Sequence, residues 1–297
     1  MYNGIINVYK EKGFTSHDVV AKLRGILGQR KIGHTGTLDP DAEGVLPVCL
    51  GRGTKLCDML TDKDKEYEAE LYLGIETDTQ DLTGNVLSRS EVTVSEKQVF
   101  DAVMSFIGTY EQIPPMYSAI KVNGRKLYDL ARSGQIIERK PRTVNIQNID
   151  ILEMKLPFVR MKVYCSKGTY IRTLCHDIGE KLGCHGCMSS LVRTRVSFFD
   201  ISASIGLDKI SRYKAEGRLD TFIIPVDRFF ETMPALYDDG ENEKLLSNGN
   251  QFRAHGKILY DEVRVYKKNG TFVGIYRYDS ASKIYSPVKI FYDSSEE

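Results

Sequence analysis

The chain has 297 residues, 41% of them hydrophobic and 27% charged, with a formal net charge of +1; this composition is that of a folded globular protein and excludes an intrinsically disordered one. No stretch approaches the roughly 18 apolar residues of a membrane helix, and the opening MYNGIINVYKEKG carries charges where a signal peptide would be apolar, so a cytoplasmic protein without membrane association is expected. At about 100–200 residues per domain, the length predicts a main domain and a smaller appended module.

GIINVYK at the start reads as a short strand, and TSHDVVAKLRGILG as a helix with a Thr or Ser cap, apolar residues Val19, Val20, Leu23, Ile26 and Leu27 at helical spacing, and Gly28 at its end. The glycines and prolines of KIGHTGTLDPDAEGVLPVCLGRGTKL predict a structured loop leading into a buried strand, VLPVCL. From Lys65, EYEAELYLGI alternates charged and apolar residues as a half-exposed strand does, and TDTQDLTGN is rich in turn formers. Ser95 and Gln98 stand at capping-box spacing ahead of a helix reaching Ile107. Beyond QIPPMYSAIKVNGRKLYDLARSG come strand-like TVNIQNIDILEM and FVRMKVYCSKG, helical TYIRTLCHDIGEKLG, and a strand expected over RVSFFDIS. Strands and helices without a regular βαβ repeat predict an α+β catalytic domain with a mixed, largely antiparallel sheet. YDDGENEKLLSNGN marks a boundary, giving a catalytic domain over 1–240 and a small β-rich module over 241–297, where EVRVYKKNGTFVGIYRYD is a hairpin turning at Asn269-Gly270. So short a module is expected to lean on the main domain.

A net charge near zero hides segregation. Lys121 to Arg142 holds Lys121, Arg125, Lys126, Arg132, Arg139, Lys140 and Arg142 against Asp129 and Glu138, whereas the terminal DSSEE is purely acidic. Such a run is a solvated face or an RNA-facing one, and composition does not choose between them. Six cysteines in a chain of this size are expected to be reduced thiols. Cys184 and Cys187, near His176, Cys175 and His185, have the makings of a zinc site; without a second pair at finger-like spacing, packing is the preferred reading and no metal is expected.

Chemistry concentrates in GHTGTLDPDAEGVLPV. Asp39 precedes Pro40, which biases it to an extended backbone that can push its carboxylate out of the loop, and two glycines allow close approach. On these grounds alone, a reactive carboxylate and an ordinary Asp-Pro turn stand level. The segment resembles the catalytic motif of the TruB family of tRNA pseudouridine synthases. The likeness continues in order through GRGTKL, DKEYEAELYLG, ETDTQDLTG, QIPPMYSAIKVNGRKLYDLAR, CSKGTYIRTLCHDIGEKLG and LVRTRV.

The resemblance implies a pseudouridine synthase fold and an isomerase acting on uridine 55 in the T-arm loop of tRNA, without organic cofactor or metal. It implies that Asp39 is the nucleophile, acting at the sugar carbon or by a glycal route, and that the base detaches, turns and rejoins through carbon 5. A carboxylate suits this because it both stabilises an electron-poor anomeric carbon and bonds to it. Arg172 matches the arginine that pairs with the nucleophile; a guanidinium there would hold the carboxylate ionised, lowering its pKa by roughly 1–3. Tyr67 matches a tyrosine that stacks on the target base, and a phenol with an ordinary pKa near ~10 suits stacking or relay better than base catalysis.

His34 resembles the residue that enters the T-loop as bases flip, and Asp81 and Tyr170 match positions lining the flipped-nucleotide pocket. Lys121, Arg125, Tyr128 and Arg132, by helical spacing and family match, form the RNA-facing element of an insertion over roughly 108–142. Departures are Glu11 where the family has proline, Val192 where it often has arginine, and Cys187 where His is frequent. The C-terminal module is similar to a PUA-like domain, which implies either that Lys257, Arg264, Lys267 and Lys268 contact the acceptor arm or that the module only stabilises the fold. A stand-alone monomer with tRNA as its partner and no obligate protein partner is expected. The alternatives are a guide-dependent dyskerin-like enzyme, an idle tRNA-binding or RNA-folding protein, and a glycosidase using Asp39 with Glu43, which the absence of Trp disfavours.

Overall fold

A computed structural model of the chain describes residues 1–122, 124–253 and 260–293. Its main body is a ten-stranded sheet. The strands that matter here are β1 (Gly4–Lys10), β2 (Ile32–His34), β3 (Glu43–Leu50), β4 (Lys65–Leu73), β5 (Gly108–Gln112), β6 (Arg142–Lys155), β7 (Phe158–Cys165) and β8 (Gly186–Val196). From one edge the order is Ile223–Ile224, β1, β3, β8, β4, β7, β6 and β5, with β2 paired to β3. Among these pairings only β3 with β8 is parallel, Val192 standing opposite Glu43 and Arg193 opposite Gly44. The sheet is therefore mixed and largely antiparallel.

Helix α1 (Ser16–Leu27) starts at a Thr15–Asp18 capping box and stops at Gly28, which takes φ +69. Both ends are legible in the sequence because caps satisfy backbone groups locally. Its Val19, Val20, Leu23 and Leu27 pack on Ile6, Val8, Leu46 and Val48. Helix α2 (Glu96–Met104) opens on the expected Ser95–Gln98 box, and α3 (Leu127–Arg132) lies in the insertion. Helix α4 (Ile171–Leu182) buries Leu174 and Ile178 against the sheet residues Leu71, Val159 and Met161. β1 and β3 are buried along nearly all their length, which accounts for their unbroken apolar runs.

β8 departs from expectation. It lies in the middle of the sheet between β3 and β4, yet its GCMSSLVRTRV carries serines, arginines and a threonine that break the apolar pattern. Its neighbours, not its own propensity, make it a strand. The strand expected over RVSFFDIS is instead the end of β8 and a reversal: Ser197 takes φ +53 and Phe199 folds back opposite Val196. Gly44 is what lets β3 and β8 meet. A Cβ there would stand 2.2 Å from the Arg193 carbonyl oxygen, and its φ of +105 suits only glycine.

The second sheet has five strands, ordered Ala235–Tyr237, Glu262–Tyr266, Phe272–Asp279, Ile284–Ile290 and Phe252–Arg253. The hairpin expected at Asn269-Gly270 is present, with Gly270 at φ +83. The sheet takes its first strand from upstream of residue 240. It also packs onto the main body, since Ile275 and Phe291 share a core with Ile5, Val45, Leu56, Phe199 and Phe230. Among the described residues no helix is long and apolar enough to cross a membrane.

Candidate active site

The loop between β2 and β3 is fastened at several points, and this fixes Asp39. Thr35 donates through both its N–H and its hydroxyl to the Pro47 carbonyl, at 3.2 and 3.1 Å, and Leu38 N donates to Ser16 Oγ at 2.9 Å. Lys10, fully buried, sends its ammonium into the loop's carbonyls, to Ala42 at 2.6 Å and Pro40 at 3.1 Å. Burial pulls Lys10 down to about 8, with Glu43 and Asp39 opposing that fall. The Asp-Pro step is thus held by groups distant in sequence.

Arg172 enters from the first turn of α4, 5% exposed. Its Nε lies 2.9 Å from Asp39 Oδ2 and its Nη2 3.2 Å from Oδ1, a bidentate fork. The same guanidinium donates to the Tyr117 carbonyl at 2.8 Å and the Thr79 carbonyl at 2.9 Å. Three separate segments therefore meet on one side chain. The expected electrostatic outcome needs correction, however. Burial raises the Asp39 carboxyl above its ordinary value and outweighs the opposing pull of Arg172, while Asp81 adds to the rise. The fork favours the ionised form and opposes this rise, and the Asp39 side chain, 38% exposed, still meets solvent at the cleft.

A cleft of about 690 Å³ opens beside Asp39 and is lined by Tyr67, Tyr170, Arg172, Leu191 and Arg193 among others, a size suited to a nucleotide. Tyr67, 8% exposed on β4, has a phenol raised by burial, with Arg193 pulling the other way, which is unfavourable for a base and compatible with stacking. Tyr170, the residue before α4, is locked through its backbone: its N–H donates to Gln112 Oε1 at 2.8 Å and its carbonyl accepts from Gln112 Nε2 at 3.0 Å.

Asp81 and His34 fall outside the cleft lining. Asp81 is not among the residues lining the cleft; its carboxylate caps its own turn, accepting from Thr79 Oγ1 at 2.7 Å and Thr83 N at 3.0 Å, and stands 3.7 Å from Arg172 Nη1. It backs the arginine. His34 ends β2, outside the cleft lining, with its ring edge-on to His17 at 6.0 Å and its Nδ1 accepting from Gly36 N at 3.3 Å. Burial lowers its pKa, and His17 and Arg193 lower it further, so the neutral ring is favoured.

The helical spacing read across Lys121, Arg125, Tyr128 and Arg132 is not realised as one helix. Lys121–Val122 and Arg125–Lys126 form a two-stranded hairpin, and the helix begins only at Leu127. Gly124, at φ +80, turns the chain there. Lys121, Arg125 and Arg132 are exposed, while Tyr128 lines the cleft with the Arg132 guanidinium 5.5 Å from its ring centre. In the second sheet Lys267 is buried over the Tyr292 ring at 3.7 Å and Arg264 donates to the Met233 carbonyl at 2.9 Å. Both side chains are engaged within the fold, as the stabilising alternative has it; Lys257 lies outside the described residues.

Sequence reasoning missed Arg193 and Lys65. Arg193 is 1% exposed on β8; it donates to the Val45 carbonyl at 2.7 Å and sets its charge beside the Tyr67 phenol. An arginine two residues from Leu191 on a strand shares its face, and recognising β8 would have exposed it. Lys65, two residues before Tyr67, lines the same cleft and is drawn down to about 8 by burial, with Arg193 adding to the fall. Cys175, Cys184 and Cys187 are buried, and burial raises all three thiols. Among the described residues the one cluster with metal-ligating spacing is Glu76, Glu180 and His185, which contains no cysteine.

Comparison with known proteins agrees with this arrangement. Residues 24–171 match the model of the TruB family pseudouridylate synthase N-terminal domain, and residues 172–231 match the tRNA pseudouridylate synthase B C-terminal domain. The chain is 57% identical to tRNA pseudouridine synthase B of Lachnoclostridium phytofermentans, over 97% of this chain and 99% of that one. With the protein of the same name from Bacillus pumilus it shares 40% identity over 98% of each. Among solved structures, a chain of a Cbf5–Nop10–Gar1 complex aligns with a TM-score of 0.72 at 27% identity, covering 98% of this chain and 86% of that one. A chain of an H/ACA ribonucleoprotein bound to a substrate RNA containing 2′-deoxyuridine aligns with a TM-score of 0.69 at 26% identity, covering 97% and 85%. With Asp39, Arg172 and Tyr67 gathered at one cleft on a mixed sheet, and with both halves of the main body matched, the chain belongs to the TruB family of tRNA pseudouridine synthases.

Proposed function

We propose that this isomerase converts uridine 55 in the T-arm loop of tRNA to pseudouridine, with Asp39 as its nucleophile. The observation that carries the reading is the bidentate Arg172–Asp39 pair at the edge of a nucleotide-sized cleft. An ionised Asp39 attacks the sugar carbon or removes a ribose proton to give a glycal; on either route the glycosidic bond breaks and the electron pair leaves with the base. The base then turns and carbon 5 bonds to the sugar, displacing the Asp39 carboxylate on the first route or with return of the ribose proton from Asp39 on the second, and loss of the carbon 5 proton restores the ring. A carboxylate whose value is raised by burial is a stronger nucleophile when ionised than an ordinary one. Tyr67, supported by Arg193, provides the stacking surface, and the exposed Lys121, Arg125 and Arg132 supply charge for phosphates.

A stand-alone, monomeric, cytoplasmic enzyme is the reading favoured over a guide-dependent one. The proteins named tRNA pseudouridine synthase B from Lachnoclostridium phytofermentans and Bacillus pumilus are 57% and 40% identical to this chain, whereas the chain of the Cbf5–Nop10–Gar1 complex is 27% identical. The second sheet, from Ala235 onward, is read as the PUA-like module. Unmodified tRNA transcript incubated with the purified chain alone, then mapped by carbodiimide treatment and primer extension, tests both points. The wild type should modify position 55, and Asp39→Asn should abolish modification while retaining tRNA binding. No product from the wild type alone would refute stand-alone action, and a fully active Asp39→Asn would refute the nucleophile.

A further inference from the structure

One polar group of the cleft wall is used by neither the fold nor the chemistry described above. Ser118 is 4% exposed, and its Oγ is buried without a hydrogen-bond partner. Its backbone, by contrast, is fully engaged: the N–H donates to the Met116 carbonyl at 2.9 Å and the carbonyl accepts from Tyr128 N at 3.1 Å. The preceding residue is pinned as well, since the Tyr117 carbonyl accepts from Arg172. The hydroxyl is thus held in place by groups other than itself, on the residue next to one tied to the guanidinium that grips Asp39. Buried polar atoms are almost always paired, so an exception in a cleft wall is a candidate for a partner that the substrate supplies. Burial raises the neighbouring Tyr170 phenol and the Ser118 hydroxyl draws it the other way, so the two groups are close although not aligned for a good bond.

We propose that Ser118 Oγ contacts the target base, hydrogen-bonding the polar edge of the uracil and keeping a bond to it while the ring turns. The inference rests on the isomerase reading of the cleft, because only a reaction that detaches and rotates the base presents its wall with the same ring in two orientations. Uracil offers two carbonyl acceptors and one N–H donor along its edge, and rotation changes which of these a fixed wall atom meets. A hydroxyl both donates and accepts and re-aims by turning about one C–O bond. A carboxylate only accepts and an ammonium only donates, so neither Asp39 nor Lys65 can follow the turn in this way. Tyr170, with a second hydroxyl on the same wall, extends the surface.

Ser118→Ala separates this role from a structural one, because the hydroxyl's near neighbour, the Tyr170 phenol, is not aligned with it for a good bond and little internal bonding is lost. Wild type and Ser118→Ala are compared for single-turnover pseudouridine formation on unmodified tRNA transcript, for tRNA affinity by filter binding, and for thermal melting of the free protein. The expected result is a rate lowered about tenfold, the value of one ordinary hydrogen bond, with affinity unchanged and melting equal or slightly higher. A variant as fast as the wild type overturns the inference, as does a rate that falls only together with melting temperature or affinity. A wild type that makes no pseudouridine refutes the functional reading itself, and this inference with it. An active wild type with an unaffected Ser118→Ala refutes the inference alone.

Discussion

Arg172→Lys keeps a positive charge at the site and removes the fork. The guanidinium spreads its donors over Asp39 Oδ2 at 2.9 Å, Asp39 Oδ1 at 3.2 Å, the Tyr117 carbonyl at 2.8 Å and the Thr79 carbonyl at 2.9 Å. An ammonium places its donors on one nitrogen and cannot span acceptors from three segments, so at minimum the two carbonyl bonds are lost. At about 1.5–3 kcal/mol for a bond from a charged donor, this costs roughly 3–6 kcal/mol of folding stability, and the side chain is too buried for solvent screening to reduce it much. The carboxyl responds too. Burial already raises Asp39 against the pull of Arg172, and weakening that pull raises it further. Because the ionised form reacts, activity is lost as pH falls through the Asp39 value, and the acid limb of the rate profile should move to higher pH in the variant. Urea unfolding and single-turnover rates from pH 5 to 8 measure both. A variant with wild-type stability, or with its acid limb at the wild-type pH, would refute the hub role of Arg172.

Gly44→Ala should destabilise the fold by at least about 3 kcal/mol, combining an unfavourable positive φ with overlap against the Arg193 carbonyl; urea unfolding measures it, and a neutral result would mean that β3 and β8 can separate without cost. Lys121→Ala and Arg125→Ala should each weaken tRNA binding and reduce the slope of log affinity against log salt by about 0.7–0.9 if each contacts one phosphate. Filter binding across a salt series measures this, and an unchanged slope would remove that residue from the RNA-facing surface.

The local features could be read directly from the sequence because their causes are local. Thr15 with Asp18, Ser95 with Gln98, Gly28 and Asn269-Gly270 set caps and a turn through hydrogen bonds and φ values within a few residues. The ordered motifs singled out Asp39, Tyr67 and Arg172 through their family resemblance, and the structure places all three in the lining of one cleft. Tertiary structure decided what depends on neighbours far along the chain. β8 is a strand because β3 and β4 flank it, and only there does Arg193 become a buried support for Tyr67. Lys121 and Arg125 share a helical spacing with Tyr128, but Gly124 turns the chain between them and the helix starts later. Asp39 shows the same division. Its sequence neighbours say that a carboxylate is presented at a proline, and its fold neighbours set the charge: burial raises it, Arg172 opposes the rise, and the balance between desolvation and pairing exists only once residues 133 positions apart have met.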